Sequence, residues 1–292
     1  MRKFKIVIYF LFVFTSFNLQ SQIFQGLIQI KDHGMEFDTI EINFGKWETK
    51  YSNEKKLLEI NKLNKFESFN LSKKIKDYRF IDFNQDGLID IVFRGFTSGE
   101  SIVTIFFRRT PEGYDFVQEF YGSIYKVSDY STSRQFSFSF VSMGCCAAVV
   151  NQFYYYNSFI DDKSGKISFS AGEKLSYYVD TKFPPIFYDK NKFFKTINDK
   201  YFLRAQPFID DTTMRAWEFA ETALMKGNII AVYPQNSHGF ALADEIDKTG
   251  RKWYFVMMMN NKKPIETTLY PENENFKSCG WVSSNFVEMV ED

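Results

Sequence analysis

Short runs of alternating apolar and polar residues recur along much of this chain, and they limit its fold more than any other feature. In RQFSFSFVSM, Phe and Ser alternate over residues 136–140. This period of two is typical of a strand with one buried face and one face in water. VVNQFYYYN and KISFSAGEKLSYYV continue the pattern, with DDKSGK (161–166) as a turn between them. The sequence therefore predicts an all-β, mainly antiparallel fold.

Three other stretches refine that prediction. IVTIFFRRTPEGYDFVQEF has two apolar runs around a turn signal at 111–113, which predicts a hairpin. The charged stretch 52–66 is the least strand-like part, and we interpret it as either a short helix or a surface excursion. Residues 212–227 predict a second short helix because apolar residues recur there near helical spacing, namely Met214, Trp217, Ala220 and Leu224.

The start of the chain has the three-part form of a secretory signal. MRKFKIVIYFLFVFTSFNLQSQ combines early cations with an apolar stretch from Ile6 to Phe14, followed by small and polar residues. The apolar stretch is short for a membrane span, so we predict a signal peptide over 1–21 that is cleaved near Ser21. An uncleaved anchor is the alternative. Cleavage would leave a periplasmic or extracellular protein that does not span a membrane.

Charge gives no support for a nucleic-acid partner. The chain has 36 Lys and Arg against 36 Asp and Glu, a formal net charge of zero. Three of its cations, Arg2, Lys3 and Lys5, lie in the leader, and no basic block or stripe follows. A protein that binds the phosphate backbone needs such a stripe, so we expect no nucleic acid among the partners.

The stretch FIDFNQDGLIDIVF (80–93) predicts a calcium-binding turn between two strands. Oxygen-bearing side chains occupy positions 1, 3, 5 and 9 of this loop, and a glycine occupies position 6, where a sharp turn needs positive φ. The proposed ligands are Asp82, Asn84, Asp86, the carbonyl oxygen of Leu88, and Asp90. Position 12 is Phe93 rather than the Glu of an EF-hand, which excludes a helix-loop-helix site. The alternative is a solvated turn whose acidic residues occur by chance.

The pattern D-x-N-x-D-G-x-x-D at 82–90 resembles the calcium loop of the FG-GAP and VCBS repeat families of extracellular β-propellers. The resemblance covers residues 76–125 and implies bound Ca²⁺. Only one good copy of the loop is present, whereas a propeller needs several. We therefore expect a compact β domain over 22–195 that holds a single calcium-braced hairpin.

The C-terminal part resembles bacterial Src-homology-3-like domains. YFLRAQPFIDD (201–211), LMKGNIIAVYP (224–234), RKWYFVMM (251–258) and CGWVSSNFVEMV (279–290) follow the order of segments in such domains. The matching residues are Leu203, Arg204, Pro207, Lys226, Gly227, Trp253, Gly280, Trp281 and Val282. The resemblance implies a small barrel over 196–292 with an extended loop at 260–275. Trp253 and Trp281 are then either barrel core or ligand contacts.

The three cysteines leave several interpretations open. In an oxidising compartment, Cys279 could pair with Cys145 or with Cys146, or these two neighbours could close a ring. Three buried thiols are the other alternative, because Cys packs as a small apolar residue. A zinc site is disfavoured because no spaced Cys or His pairs accompany them.

No catalytic motif stands out. The two histidines, His33 and His238, lie in no HExxH pattern, and the chain has no nucleophile elbow, Walker loop or dinucleotide fingerprint. We therefore expect a secreted, non-catalytic binding or scaffold protein, stabilised by Ca²⁺, whose C-terminal module contacts an envelope protein, a peptide or a cell-wall glycan. The alternative hypothesis is a cell-envelope hydrolase that uses Cys145 or Cys146 with His238.

Overall fold

A computed structural model describes residues 49–63, 71, 74–84, 86–96, 102–129, 136–143, 150–160, 166–178, 180–213, 226–269 and 277–290. Strands account for most of the regular structure in these ranges, and the strand pairs are antiparallel with one parallel exception. The all-β, mainly antiparallel prediction is confirmed. No helix in these ranges is long and apolar enough to cross a membrane. The predicted signal peptide and most of the predicted helix at 212–227 lie outside the described residues.

Sixteen strands are described. They are β1 (Tyr78–Ile81), β2 (Asp90–Phe96), β3 (Ile102–Thr110), β4 (Gly113–Tyr121), β5 (Ser123–Asp129), β6 (Phe136–Met143), β7 (Val150–Ile160), β8 (Ile167–Tyr178), β9 (Lys192–Thr196), β10 (Lys200–Arg204), β11 (Ile229–Pro234), β12 (His238–Ile246), β13 (Lys252–Met258), β14 (Glu266–Thr267), β15 (Lys277–Ser283) and β16 (Val287–Met289). The predicted hairpin at 111–113 is confirmed, since β3 and β4 pair there in antiparallel register.

The described helical segments are α1 (Asn53–Asn61) and two short 3₁₀ turns, Ile75–Asp77 and Ser284–Phe286. Helix α1 falls within 52–66, so the helical interpretation of that stretch is confirmed. Ser52 caps the helix, because its side chain accepts a hydrogen bond from the N–H of Lys55 (3.3 Å).

Strands β1 to β4 form an antiparallel meander that is apolar on both faces. On one face, Ile60 and Leu63 from the α1 region pack against a cluster that includes Phe93 and Phe107. On the other face, residues of β1 to β4 and of the β1-β2 loop share a core with residues of β5, β6 and β8, namely Ile81, Phe83, Val92, Phe106, Phe120, Ile124, Phe138, Phe140 and Ile167. Burial on both sides fixes the register of these strands, because a slip of one residue would exchange the two apolar sets.

The second sheet has the order β16-β9-β12-β13-β15-β8-β7-β6-β5, with β10 paired to β11 and β15, and β14 paired to β11. The parallel contact joins β15 to β8, where Lys277 lies opposite Leu175. The expected boundary between domains 22–195 and 196–292 falls inside β9, which pairs with β12 and β16. Both the sheet and the core therefore continue across that boundary.

Two glycines of the C-terminal segments occupy positions that no other residue fits without strain. A Cβ on Gly280 would lie 2.7 Å from the carbonyl oxygen of Arg204 on neighbouring β10. Gly227 has φ +64°, and a Cβ there would lie 1.7 Å from the carbonyl oxygen of Asp210. Close backbone approach, and at Gly227 positive φ as well, explains the glycine in each segment.

Candidate metal centre

The loop with alternating oxygen side chains connects two strands, as predicted. Strands β1 and β2 pair in antiparallel register, and Ile81 lies opposite Asp90. Gly87 takes φ +84° at the turn with open space around the position of a Cβ, so the backbone conformation itself favours glycine there. The loop therefore lies at one end of the β1-β2 hairpin.

Asp82 organises the first half of the loop. Its Oδ1 accepts a hydrogen bond from the N–H of Asp86 (3.1 Å), and its Oδ2 accepts one from the N–H of Gly87 (3.0 Å). The Oδ1 atom of Asn84 is also an acceptor for the N–H of Asp86 (3.3 Å). These contacts turn the backbone around the side-chain oxygens of positions 1 and 3.

Asp86 has partners on both of its oxygens. Oδ1 accepts a hydrogen bond from the N–H of Leu88 (2.8 Å), and Oδ2 accepts one from the side-chain Nδ2 of Asn84 (2.7 Å). The same Oδ2 lies 3.7 Å from Nη2 of Arg108 in strand β3. A positive charge from another strand therefore faces position 5 of the loop.

Asp90 is fully buried and hydrogen-bonded to main-chain groups on both sides. Its Oδ2 accepts from the N–H of Phe83 (3.1 Å), and its Oδ1 accepts from the N–H of Arg109 (2.8 Å). Burial raises the pKa of this carboxyl to about 8; the two N–H donors lower the pKa, and the charges of Asp86 and Asp82 raise it further. A cation at the loop would favour the charged form of Asp90.

The oxygen atoms of the loop are ligands of the kind that Ca²⁺ prefers. Three carboxylates and an amide supply oxygens, and each oxygen of Asp90 accepts one N–H, which leaves a second lone pair. Within the described ranges, however, no group of three or more His, Cys, Asp or Glu side chains is gathered closely enough to hold a metal ion. The residue types and their order along the loop therefore suit Ca²⁺. In this structure Asn84, Leu88 and Arg108 contact the carboxylate of Asp86.

Two residues at this site were not singled out from the sequence. Arg108 and Arg109 reach the loop because β3 pairs with β2, with Phe107 opposite Ile91. The side chain of Arg109 extends to the helix, where its Nη1 lies 3.1 Å from Oε2 of Glu59. No local sequence pattern marks them, because only the β2-β3 pairing places the end of β3 beside the start of β2.

In the C-terminal part of the chain, Arg204 fixes the loop that follows β10. Its guanidinium is almost fully buried and donates to the carbonyl oxygen of Asp210 (3.1 Å), to Oδ1 of Asn228 (2.8 Å) and to Oδ1 of Asp211 (2.7 Å). The side-chain Nδ2 of Asn228 in turn donates to the carbonyl oxygen of Phe208 (2.7 Å). The buried, planar guanidinium of Arg204 thus holds residues 205–211 in one conformation through hydrogen bonds to three partners.

The structure places Trp253 and Trp281 in the core. Both side chains are fully buried; the indole N–H of Trp253 donates to Oδ2 of Asp247 (2.9 Å), and that of Trp281 donates to the carbonyl oxygen of Lys182. Phe183, from the connection between β8 and β9, packs on Phe255 beside Trp281. The chain itself therefore covers the aromatic surface that we considered for ligand contact.

The residues of the hydrolase hypothesis are only partly described. Cys145 and Cys146 lie outside the described residues, so neither disulfide alternative is decided. Cys279 is buried in β15 opposite Met257. His238 begins β12, and its ring contacts the ring of Phe193 with centroids 5.2 Å apart.

Comparisons with known proteins give no relative for this chain. No protein-family model matches it, and neither a curated protein nor a solved structure matches it.

Proposed function

We propose that this protein is an exported, non-catalytic binding or scaffold protein that Ca²⁺ stabilises at the loop 82–90. The observation that carries the proposal is the hairpin end between β1 and β2, where Asp82 and Asn84 accept main-chain hydrogen bonds of the turn at the positive-φ Gly87 and Asp90 is buried. Asp82, Asn84, Asp86, the Leu88 carbonyl and Asp90 would hold the ion. Bound Ca²⁺ would supply positive charge that offsets the repulsion among the three carboxylates.

Export and the contact role rest on other features. The leader at 1–21 has the form of a signal peptide, which supports a periplasmic or extracellular location. The Src-homology-3-like resemblance supports a C-terminal module that contacts an envelope protein, a peptide or a cell-wall glycan. Because Trp253 and Trp281 are buried, we place the contact at the loop after β10, where Phe208 and Ile209 are exposed. Arg204 holds that loop, so binding would cost little ordering entropy.

The calcium part is tested by thermal unfolding in EGTA, in Ca²⁺ and in Mg²⁺. A ligand at one hundred times its Kd stabilises the native state by about 2.7 kcal/mol, so we expect a calcium-specific rise of several degrees in Tm. Asp86→Ala should abolish the rise. Asp199→Ala, which removes an exposed carboxylate in the β9-β10 turn, is the matched control and should keep it. Equal melting temperatures in all three solutions would contradict calcium stabilisation.

The contact part is tested by co-sedimentation with purified cell-wall sacculi. Phe208→Ser should reduce the bound fraction severalfold, because its exposed ring would contact the partner. Ile186→Ser is the control, since Ile186 is 80% exposed and lies in a different connection. Unreduced binding by the Phe208 variant would place the contact elsewhere. Release of soluble wall fragments by the wild type would contradict the non-catalytic assignment.

A further inference from the structure

The candidate calcium loop faces a cation that belongs to the protein itself. Nη2 of Arg108 lies 3.7 Å from Oδ2 of Asp86, which is position 5 of the loop. The two side chains are 25% and 30% exposed, so water screens their attraction only in part. Asp86 therefore already has a positively charged neighbour.

The backbone around Arg108 is held on both sides. Strand β3 lies between β2 and β4 in the sheet, and Arg108 is opposite Asp115 of β4. The next residue, Arg109, donates its main-chain N–H to Asp90 at 2.8 Å. The guanidinium of Arg108 thus extends from a fixed point directly beside the loop.

A calcium ion bound through Asp86 would bring two positive charges close to that guanidinium. The two cations would repel each other, and they would share one carboxylate. Building on the proposed calcium site, we propose that Arg108 competes with Ca²⁺ for Asp86 and so sets the affinity of the loop. In this role Arg108 is a tuning residue and not a ligand.

If Arg108 instead helped Asp86 to coordinate Ca²⁺, its removal would change the Kd in the opposite direction. If the guanidinium mainly oriented Asp86 for coordination, its removal would weaken calcium binding. The sign of the change in Kd therefore separates competition from orientation without any assumption about the exact geometry of the bound ion.

Isothermal titration of the purified protein with CaCl₂ at low ionic strength measures this change. We expect Arg108→Gln to bind Ca²⁺ about threefold to tenfold more tightly than the wild type, and the gain should shrink as NaCl is added. Arg108→Lys keeps the charge and should stay within about twofold of the wild type.

The neighbouring arginine provides a matched control. Arg109→Gln also removes one positive charge, but that guanidinium is engaged by Glu59 at 3.1 Å and lies over the ring of Tyr114. We expect its Kd to change by less than about twofold. Circular dichroism verifies the fold of each variant, and Arg108→Met replaces Arg108→Gln if the latter does not fold.

The outcomes separate this inference from the proposed function. If the wild type binds Ca²⁺ and the Arg108→Gln variant binds it equally or more weakly, the proposed competition is wrong, while the calcium site stands. Absence of binding by every variant would refute the calcium site and the competition with it. Binding by the Arg108→Gln variant alone would mean that the competition is strong enough to exclude the ion from the wild type.

Discussion

The main-chain N–H of Arg109 donates a 2.8 Å hydrogen bond to Oδ1 of Asp90, so strand β3 holds the last acidic residue of the loop between β1 and β2. The other oxygen of Asp90 accepts the N–H of Phe83. This carboxyl therefore closes the loop onto the sheet whether or not a cation is present. Its role in stability can be measured apart from its proposed role as a calcium ligand.

We predict that Asp90→Asn destabilises the protein even in EGTA. The amide has one oxygen, so its NH₂ group would face one of two buried N–H donors, and an unsatisfied buried donor costs about 1 to 3 kcal/mol. Urea unfolding with EGTA present measures the loss. Asp86→Asn, at an exposed position of the same loop, is the control and should lose less than half as much. Equal losses would mean that the buried hydrogen bonds of Asp90 carry no special weight.

Arg204→Ala should lower the free energy of unfolding by about 1 to 3 kcal/mol for each acceptor left unsatisfied, because Asn228 and the carbonyl of Asp210 lose their donor. Arg204→Lys should recover only part of the loss, since a single ammonium cannot reproduce the planar fork. Urea denaturation of the two variants gives both values. Full recovery by lysine would show that charge alone holds the loop.

Gly227→Ala should be far more damaging than Gly250→Ala, although both glycines have positive φ. An added Cβ at Gly227 would meet the carbonyl oxygen of Asp210 at 1.7 Å, whereas at Gly250 it would meet open space. We expect a loss of about 1 kcal/mol from backbone strain at Gly250 and several times more at Gly227. Thermal melts of the two variants provide the comparison, and similar Tm values would contradict the close contact.

Low pH should destabilise the turn that follows β10 over a defined pH range, because Asp210 loses its charge there. Hydrogen bonds from Thr213 and Thr212 lower the pKa of Asp210 from 3.8 to about 2 in the folded protein. The stabilisation from this carboxylate is complete well above pH 3.8, decreases as the pH falls, and is lost below about 2.

Asp210→Asn keeps an oxygen to accept from the N–H groups of Thr212 and Thr213 but cannot titrate. Its Tm should therefore be lower than that of the wild type at neutral pH and fall less steeply between pH 4 and about 2, so that the two proteins converge in acid. Parallel curves over that acidic interval would show that Asp210 contributes nothing to the acid sensitivity.

Local patterns were sufficient for the strands and for the loop. The alternation at 136–140 predicted β6, and the spacing from Asp82 to Asp90 placed a turn between two strands, as the structure has it. Both signals act over a few neighbouring residues, where side-chain period and turn chemistry decide the outcome.

Contacts between segments that are distant in the sequence could not be predicted from local patterns. Arg108 reaches Asp86 only through the pairing of β2 with β3, and Trp281 is covered by Lys182 and Phe183 from about a hundred residues earlier. A local pattern identifies these residues as charged or aromatic, but their neighbours depend on tertiary packing. For the same reason, the domain boundary predicted between residues 195 and 196 falls inside β9, which pairs with β12 in the second sheet.

The parallel contact between β8 and β15 also has a consequence for the order of folding. Leu175 of β8 lies opposite Lys277, about a hundred residues later in the sequence. Until β15 has been made, the edge of β8 at Leu175 and Ser176 has not met its partner, and such edges readily pair with other chains. The contact between β8 and β15 therefore forms late, after its β8 side has stayed unpaired while about a hundred further residues were made.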